Sequence, residues 1–258
     1  MKFSRAFVYG DLLFETMRFH QGRIINLKYH FQRLTQGAST LGFLLPNEWS
    51  EELFSQQIQR EIPNENHNYR IRYVLYRDGE GFYHPENPQV GYIVEYFDAP
   101  ALKTHIAYCG IYHENKKAVS PLGNLKSGNA LIYVEAARFA KQKKWNDAFI
   151  LNTDNTIIEA TSSNLFWIQE GNFFTVPLQQ APVAGVMRAF VLDYLKQNGI
   201  DVTEKPLSLQ SLQQMDACFL TNSIQPWVWV NETEGICFEP PTAAIALQQE
   251  IFAALDLK

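Results

Sequence analysis

The chain has 258 residues, a hydrophobic fraction of 46%, a charged fraction of 19% and a formal net charge of −5. This is a globular composition with enough apolar material for one large core or two smaller ones. No basic stripe accompanies the acidic balance, which argues against a nucleic-acid partner, because neutralising phosphates needs clustered Lys and Arg.

Residues 3–9 and 13–20 read as strands around a Gly10-Asp11 turn, with Gln21-Gly22 as a second turn. A helix follows over 27–42. There Leu27, Phe31, Leu34, Ala38 and Leu41 form one apolar face, and Arg33 lies off it. A short helix is expected from about Pro46-Asn47. Residues 68–77 (NYRIRYVLYR) and 90–97 (VGYIVEYF) alternate as strands, and 102–112 supplies a third. The polar stretch HENKKAVSPLGNL reads as a linker. We therefore expect an N-terminal domain over 1–113, a linker over 114–124 and a C-terminal domain over 125–258.

The second half opens with a helix over 128–144, then a strand over 147–152, a turn at Asp154-Asn155 and a return strand over 156–159. Strands over 165–169 and 173–176 flank a Glu170-Gly171 hairpin turn. A helix over 186–198 stops at Gly199, strands follow at 218–221 and 227–230, and a last helix covers 242–257. The fold class is a two-domain α/β (α+β) mixture, without the regular βαβ alternation of a doubly wound sheet.

Five features carry chemistry, and each has an ordinary reading when taken alone. Lys126, in GNLKSGNAL, is by itself a surface lysine. Glu159, in IIEATSSNLFW, ends a β-branched run; it is either a strand-end acid or a carboxylate able to hold a protonated ring nitrogen. Arg33 is a solvated helix residue or a bidentate phosphate partner. In PVAGVMR a glycine precedes a helix whose first N–H groups lack partners, which is either a plain junction or an anion site. Thr221-Asn222-Ser223 is a turn, or a set of small donors for the same anion.

The order and spacing of these features resemble the class IV aminotransferases: branched-chain aminotransferase, D-amino-acid aminotransferase and aminodeoxychorismate lyase. The matching segments are GDLLFETMRFHQGRI, HFQRL, LKSGNAL, IIEATSSNLFWI, VAGVMRAF and FLTNSIQPWVWV, which span residues 10–230. The resemblance implies a fold-type IV, D-amino-acid-aminotransferase-like fold with pyridoxal phosphate (PLP) between two domains. It also implies a homodimer whose partner loop helps close the site. Lys126 becomes the Schiff-base lysine and Glu159 the partner of the pyridine nitrogen. Arg33, the N–H groups of Val186 and Met187, and Asn222 with Ser223 hold the phosphate. Val183 lies against the cofactor ring, and Phe14 stands on the substrate side.

Within the family the lyase pattern is ahead. Met187 stands in GVMR where many transaminases have Thr, Asn222-Ser223 opens an NSI-type run, and Trp227-Val228-Trp229-Val230 follows it. The substrate is then 4-amino-4-deoxychorismate, giving 4-aminobenzoate and pyruvate. The alternatives are a branched-chain or D-amino-acid aminotransferase, or a PLP-binding protein without turnover. The loop RDGEGFYHP carries no second arginine, which leaves Arg18, Arg70 and Arg72 as candidates for the carboxylate of a small amino substrate. Strand alternation puts Arg70 and Arg72 on one face.

Other signals point to no further chemistry. None of the six histidines has ligand spacing, so no metal is expected. The run Asn152-Thr153-Asp154-Asn155-Thr156 resembles a calcium loop, but Ile157 stands where the sharp turn needs Gly. Cys109, Cys218 and Cys237 show no paired spacing and read as buried free thiols of a reducing cytoplasm. The start MKFSRAFVYG has no signal-peptide core, and no apolar run reaches the roughly 18 residues of a membrane span.

Overall fold

The computed structural model describes residues 4–79, 81–86 and 89–257. These form two compact units. The first holds the described residues up to Ala101 together with Leu125–Asn129; the second holds Leu102–Asn124 and the described residues from Ala130 onward.

The first unit contains α1 (Arg5–Tyr9), β1 (Leu12–His20), β2 (Arg23–Ile24), α2 (Leu27–Thr40), α3 (Glu51–Gln59), β3 (Tyr69–Arg77) and β4 (Val90–Asp98). Its antiparallel sheet has the order β2-β1-β3-β4. Alternation is clearest in β3, where Tyr69, Ile71, Tyr73 and Leu75 are buried and the arginines between them are not. These residues pack with Leu13, Met17 and Phe19 of β1 and with Leu34, Ala38, Phe54 and Ile58 of the helices. Placing one face of the sheet under α2 and α3 removes that apolar area from water, at about 25 cal/mol per Å². The helix α3 starts later than expected because Ser50, not Asn47, caps it and accepts from the Leu53 N–H at 3.1 Å.

The strand expected over 3–9 is a correction. Its described part is the helix α1, and Phe3 lies outside the described residues. The only buried residue of α1 is Arg5, so its alternation was never apolar. Arg5 donates to Asp11 Oδ2 at 3.0 Å and to the carbonyls of Gly81 and Phe82. It thereby ties down the RDGEGFYHP loop, of which Glu80 lies outside the described residues.

The second unit contains β5 (His105–Lys117), α4 (Leu131–Gln142), β6 (Asp147–Asn152), β7 (Thr156–Ala160), β8 (Asn164–Gln169), β9 (Asn172–Thr175), α5 (Val186–Gln197), β10 (Val202–Glu204), β11 (Leu207–Ser208), β12 (Ala217–Thr221), β13 (Val228–Thr233), β14 (Ile236–Cys237) and α6 (Thr242–Ala254). The mixed sheet runs β10-β9-β8-β12-β13-β5-β6-β7-β11. A further pairing of Glu159 with Asn164 joins β7 to β8, so six strands close into a ring. Closed strands have no free edge, and the near-continuous burial along β6, β7 and β8 shows that both of their faces are covered. The short strands β2, β10, β11 and β14 were not predicted, being too brief to show a period.

The expected domain limits also shift. The segment read as a linker begins as strand: β5 runs to Lys117 and pairs with β13 and β6, which makes it part of the second unit. Residues 125–129 go the other way, because Leu13 and Ser127 bridge and the Gly128 N–H donates to the Leu12 carbonyl at 3.1 Å. Lys126 thus belongs to the first unit rather than to a C-terminal domain. Cys109 and Cys218 are buried free thiols, whereas Cys237, on the short β14, is exposed. Among the described residues no helix is long and apolar enough to cross a membrane, and no His, Cys, Asp and Glu side chains cluster as a metal site.

Candidate active site

In the first unit the site is built along the edge of β1. The Phe14 N–H donates to the Lys126 carbonyl at 2.9 Å. Glycine at two positions permits this approach. Gly10 has φ +64°, and a Cβ on Gly128 would stand 3.0 Å from Gly10 Cα. Lys126 Nζ lies 4.4 Å from the centroid of the Phe14 ring, so these two predicted residues meet.

Arg33 comes from α2 and meets a carboxylate. Its Nε donates to Glu15 Oε1 at 2.8 Å, and its Nη2 bonds Oε2. His30 donates from Nδ1 to the same Oε2 at 2.6 Å. Burial alone would raise the Glu15 pKa, but the Arg33 guanidinium and the His30 hydrogen bond bring it down to about 2. Burial lowers His30, and the charges of Arg33 and Lys126 add to that against the pull of Glu15, so the ring is neutral. Glu15 and His30 were not singled out from the sequence. A carboxylate on an alternating strand and a histidine inside an apolar helix face give no signal until pairing brings them together.

The β1–β3–β4 register sorts the substrate candidates. Thr16 stands opposite Arg72, and Arg18 opposite Arg70. Residues directly opposite share a face, so Phe14, Arg18, Arg70 and Arg72 all lie on the side of the sheet away from Glu15 and the helices. Arg18 is buried and donates to the Pro100 carbonyl at 2.9 Å. Arg72 pairs with Glu95 at 3.0 Å, and both Arg70 and Arg72 lie against the Phe97 ring.

In the second unit Glu159 is buried on β7. Its Oε1 accepts from Lys117 Nζ at 2.8 Å and from the Tyr133 hydroxyl at 2.7 Å, and its Oε2 accepts from the Val183 N–H at 2.9 Å. The loop before α5 is pinned at three points. Besides the Val183 N–H, the Val183 carbonyl accepts from Asn164 Nδ2 at 2.8 Å, and the Ala184 N–H donates to the Asn124 carbonyl at 3.0 Å. Gly185 caps α5 with no side-chain bond, and any other residue there would have to displace the Asn164 side chain. A Cβ at this position would lie 1.7 Å from Asn164 Oδ1. The N–H groups of Val186 and Met187 therefore open the helix without a side-chain cap and with the positive end of its dipole.

Asn222 differs from expectation. Its Oδ1 accepts from the Ile224 and Gln225 N–H groups at 2.8 and 2.7 Å, its Nδ2 donates to Ser163 at 2.8 Å, and its N–H donates to the Gln225 carbonyl at 3.0 Å. It shapes the turn that presents Ser223. Beside it, the Thr221 hydroxyl is buried and has no hydrogen-bond partner. A buried polar group of this kind costs stability unless something completes it.

A family model described as amino-transferase class IV matches residues 12–233. An aminodeoxychorismate lyase of Vibrio harveyi is 30% identical over 228 residues, covering 86% of this chain and 82% of its own. A provisionally named branched-chain-amino-acid aminotransferase of Methanocaldococcus jannaschii is 29% identical over 238 residues, covering 90% and 82%. A solved structure from Legionella pneumophila, provisionally named a 4-amino-4-deoxychorismate lyase, superposes with a TM-score of 0.88 at 26% identity, covering 99% of this chain and 96% of its own.

Proposed function

Since the chain belongs to the class IV aminotransferases, a family of PLP-dependent enzymes, we propose that it holds PLP and acts as a 4-amino-4-deoxychorismate lyase. The observation that carries the cofactor reading is the buried Glu159 carboxylate, fixed by three donors in the same unit as an uncapped helix N-terminus and an unpartnered Thr221 hydroxyl. That donor set fits a ring nitrogen and a phosphate. Val186, Met187, Ser223 and Thr221 would hold the phosphate, and Arg33 would reach it with Glu15 fixing its guanidinium. Lys126 would bond the cofactor, and Val183 would lie against its ring.

When bound, PLP supplies an electron sink for charge developing on the substrate. The residues of the chain do the rest. Lys126 Nζ takes up and returns the substrate proton as general base and acid. Glu159 holds the proton on the ring nitrogen. Phe14, against Lys126, keeps water from the amine. On the same face as Phe14, Arg18, Arg70 and Arg72 favour an anionic substrate, and 4-amino-4-deoxychorismate carries two carboxylates. The Met187 and Asn222-Ser223-Ile224 pattern supports the lyase over a transaminase. The reading includes a cytoplasmic homodimer, whose assembly sedimentation of the purified chain would test.

The test is release of 4-aminobenzoate from 4-amino-4-deoxychorismate by the PLP-loaded protein, with Lys126→Ala as control. Product that depends on Lys126 is expected. A yellow, folded protein that releases none would refute the lyase reading. Half-reactions with L-leucine, L-glutamate and D-alanine would then test transamination.

A further inference from the structure

Besides the Val183 N–H, two side chains hold Glu159. Lys117 is the last residue of β5, and Tyr133 lies in the first turn of α4. The register of β5 on β6 jumps between Tyr112, opposite Ile150, and Lys117, opposite Asn152. Five steps on one strand thus match two on the other, and this irregularity breaks the alternation that would otherwise set the direction of Lys117. Its Nζ reaches Glu159 Oε1 and also the Tyr133 hydroxyl, the latter at 2.5 Å. Burial, and then the Glu159 charge, push the Tyr133 phenol up, so it stays protonated and donates its one proton to Glu159.

Lone-pair accounting gives the consequence. A carboxylate accepts about four hydrogen bonds, two per oxygen. Oε1 already takes Lys117 and Tyr133, and Oε2 takes the Val183 N–H. One acceptor position remains, and it is on Oε2. We propose that Lys117 and Tyr133 are positioning residues that make Glu159 a single-vacancy acceptor, aiming the last lone pair of Oε2 at one protonated ring nitrogen. This rests on the assignment of Glu159 to the cofactor ring.

The charge on Lys117 decides where the shared proton sits. In a dry site a carboxylate facing a ring N–H⁺ tends to the neutral pair, with the proton on oxygen, because burial penalises both charges. The side chains of Lys117 and Glu159 are 11% and 3% exposed, so an ammonium is built in on the far side of the carboxylate. It stabilises the anion directly and the proton stays on nitrogen. Tyr133 does the same by one neutral hydrogen bond, and so more weakly.

The experiment loads the full-length protein with PLP labelled with ¹⁵N at the ring nitrogen and reads that nitrogen by NMR at pH 7. Wild type and Lys117→Arg should show the protonated position. Lys117→Met should shift the signal toward the unprotonated position, and Tyr133→Phe should shift it less in the same direction. Glu159→Gln is the control for the underlying assignment. If it moves the signal while Lys117→Met and Tyr133→Phe leave it in place, the two residues only support the fold and the proposal is overturned. If Glu159→Gln itself moves nothing, Glu159 does not face the ring, and the assignment beneath the proposal fails. Tyr133→Phe deletes one oxygen and carries the test should Lys117→Met not fold.

Discussion

Replacing Glu15 by Gln tests the electrostatic heart of the first unit. The Glu15 side chain is 1% exposed and answers two donors, Arg33 and His30. Its pKa falls from an ordinary 4.5 to about 2 because Arg33 and His30 outweigh the cost of burial. A folded-state pKa below the unfolded one means that the stabilisation is complete above about pH 4.5 and is lost as pH falls toward 2. At 1.36 kcal/mol per pH unit the full shift is worth about 3 kcal/mol. In Glu15→Gln at pH 7, the nearly buried Arg33 loses the Glu15 charge, and breaking a buried ion pair in this way costs about 3–5 kcal/mol. Urea unfolding of both proteins at pH 7, 5 and 3 measures this. Wild type should lose stability steeply between pH 5 and 3, and the variant should start lower and fall less. Parallel pH profiles would refute the reasoning, since they would mean that the Glu15 proton is not linked to folding.

Three further outcomes are expected. Glu159→Gln should retain PLP, seen by its visible band, yet lose about 10²-fold or more in turnover, in the range found for removing one preorganised electrostatic contact. Arg33→Lys should keep a charge beside Glu15 but lose the bidentate fork; a PLP titration should then show affinity weakened about 10-fold, the loss of roughly one charge-assisted hydrogen bond. Gly185→Ala should force Asn164 away from the Val183 carbonyl. Overpacking of this kind costs about 1–3 kcal/mol, and a fall in melting temperature together with weaker PLP binding would register it.

What was legible in the sequence follows from how local each signal is. The 3.6-residue spacing along α2 and the two-residue spacing along β3 are properties of one element, and both elements form where expected. Lys126, Glu159, Arg33 and the PVAGVMR junction each stand in a short local motif, so they could be named as candidates. The partners of those residues could not. Lys117 stands 42 positions before Glu159, and its direction is set by an irregularity in β5 that only pairing with β6 reveals. Glu15 lies 18 positions from Arg33 and looks like any polar residue on an alternating strand. The linker reading failed for a related reason. HENKKAVSPLGNL is polar because it includes a strand end and a turn rather than because it is unstructured, and its Asn124 donates to the carbonyls of Leu178 and Pro182.

The five residues around Lys126 also bear on how this gene could vary. They leave the second unit after Asn124, add to the edge of β1, and return at Ala130. Asn124 is tied by side chain and carbonyl to the loop before α5, and Ala130 begins α4. Side chains along an extended segment alternate, so gaining or losing one codon here would turn Lys126 to the opposite side while leaving its neighbours in place. The segment is therefore intolerant of length change in a way that substitution scanning would not detect. Insertions between residues 239 and 241, after the β13–β14 hairpin, meet no such constraint on the lysine.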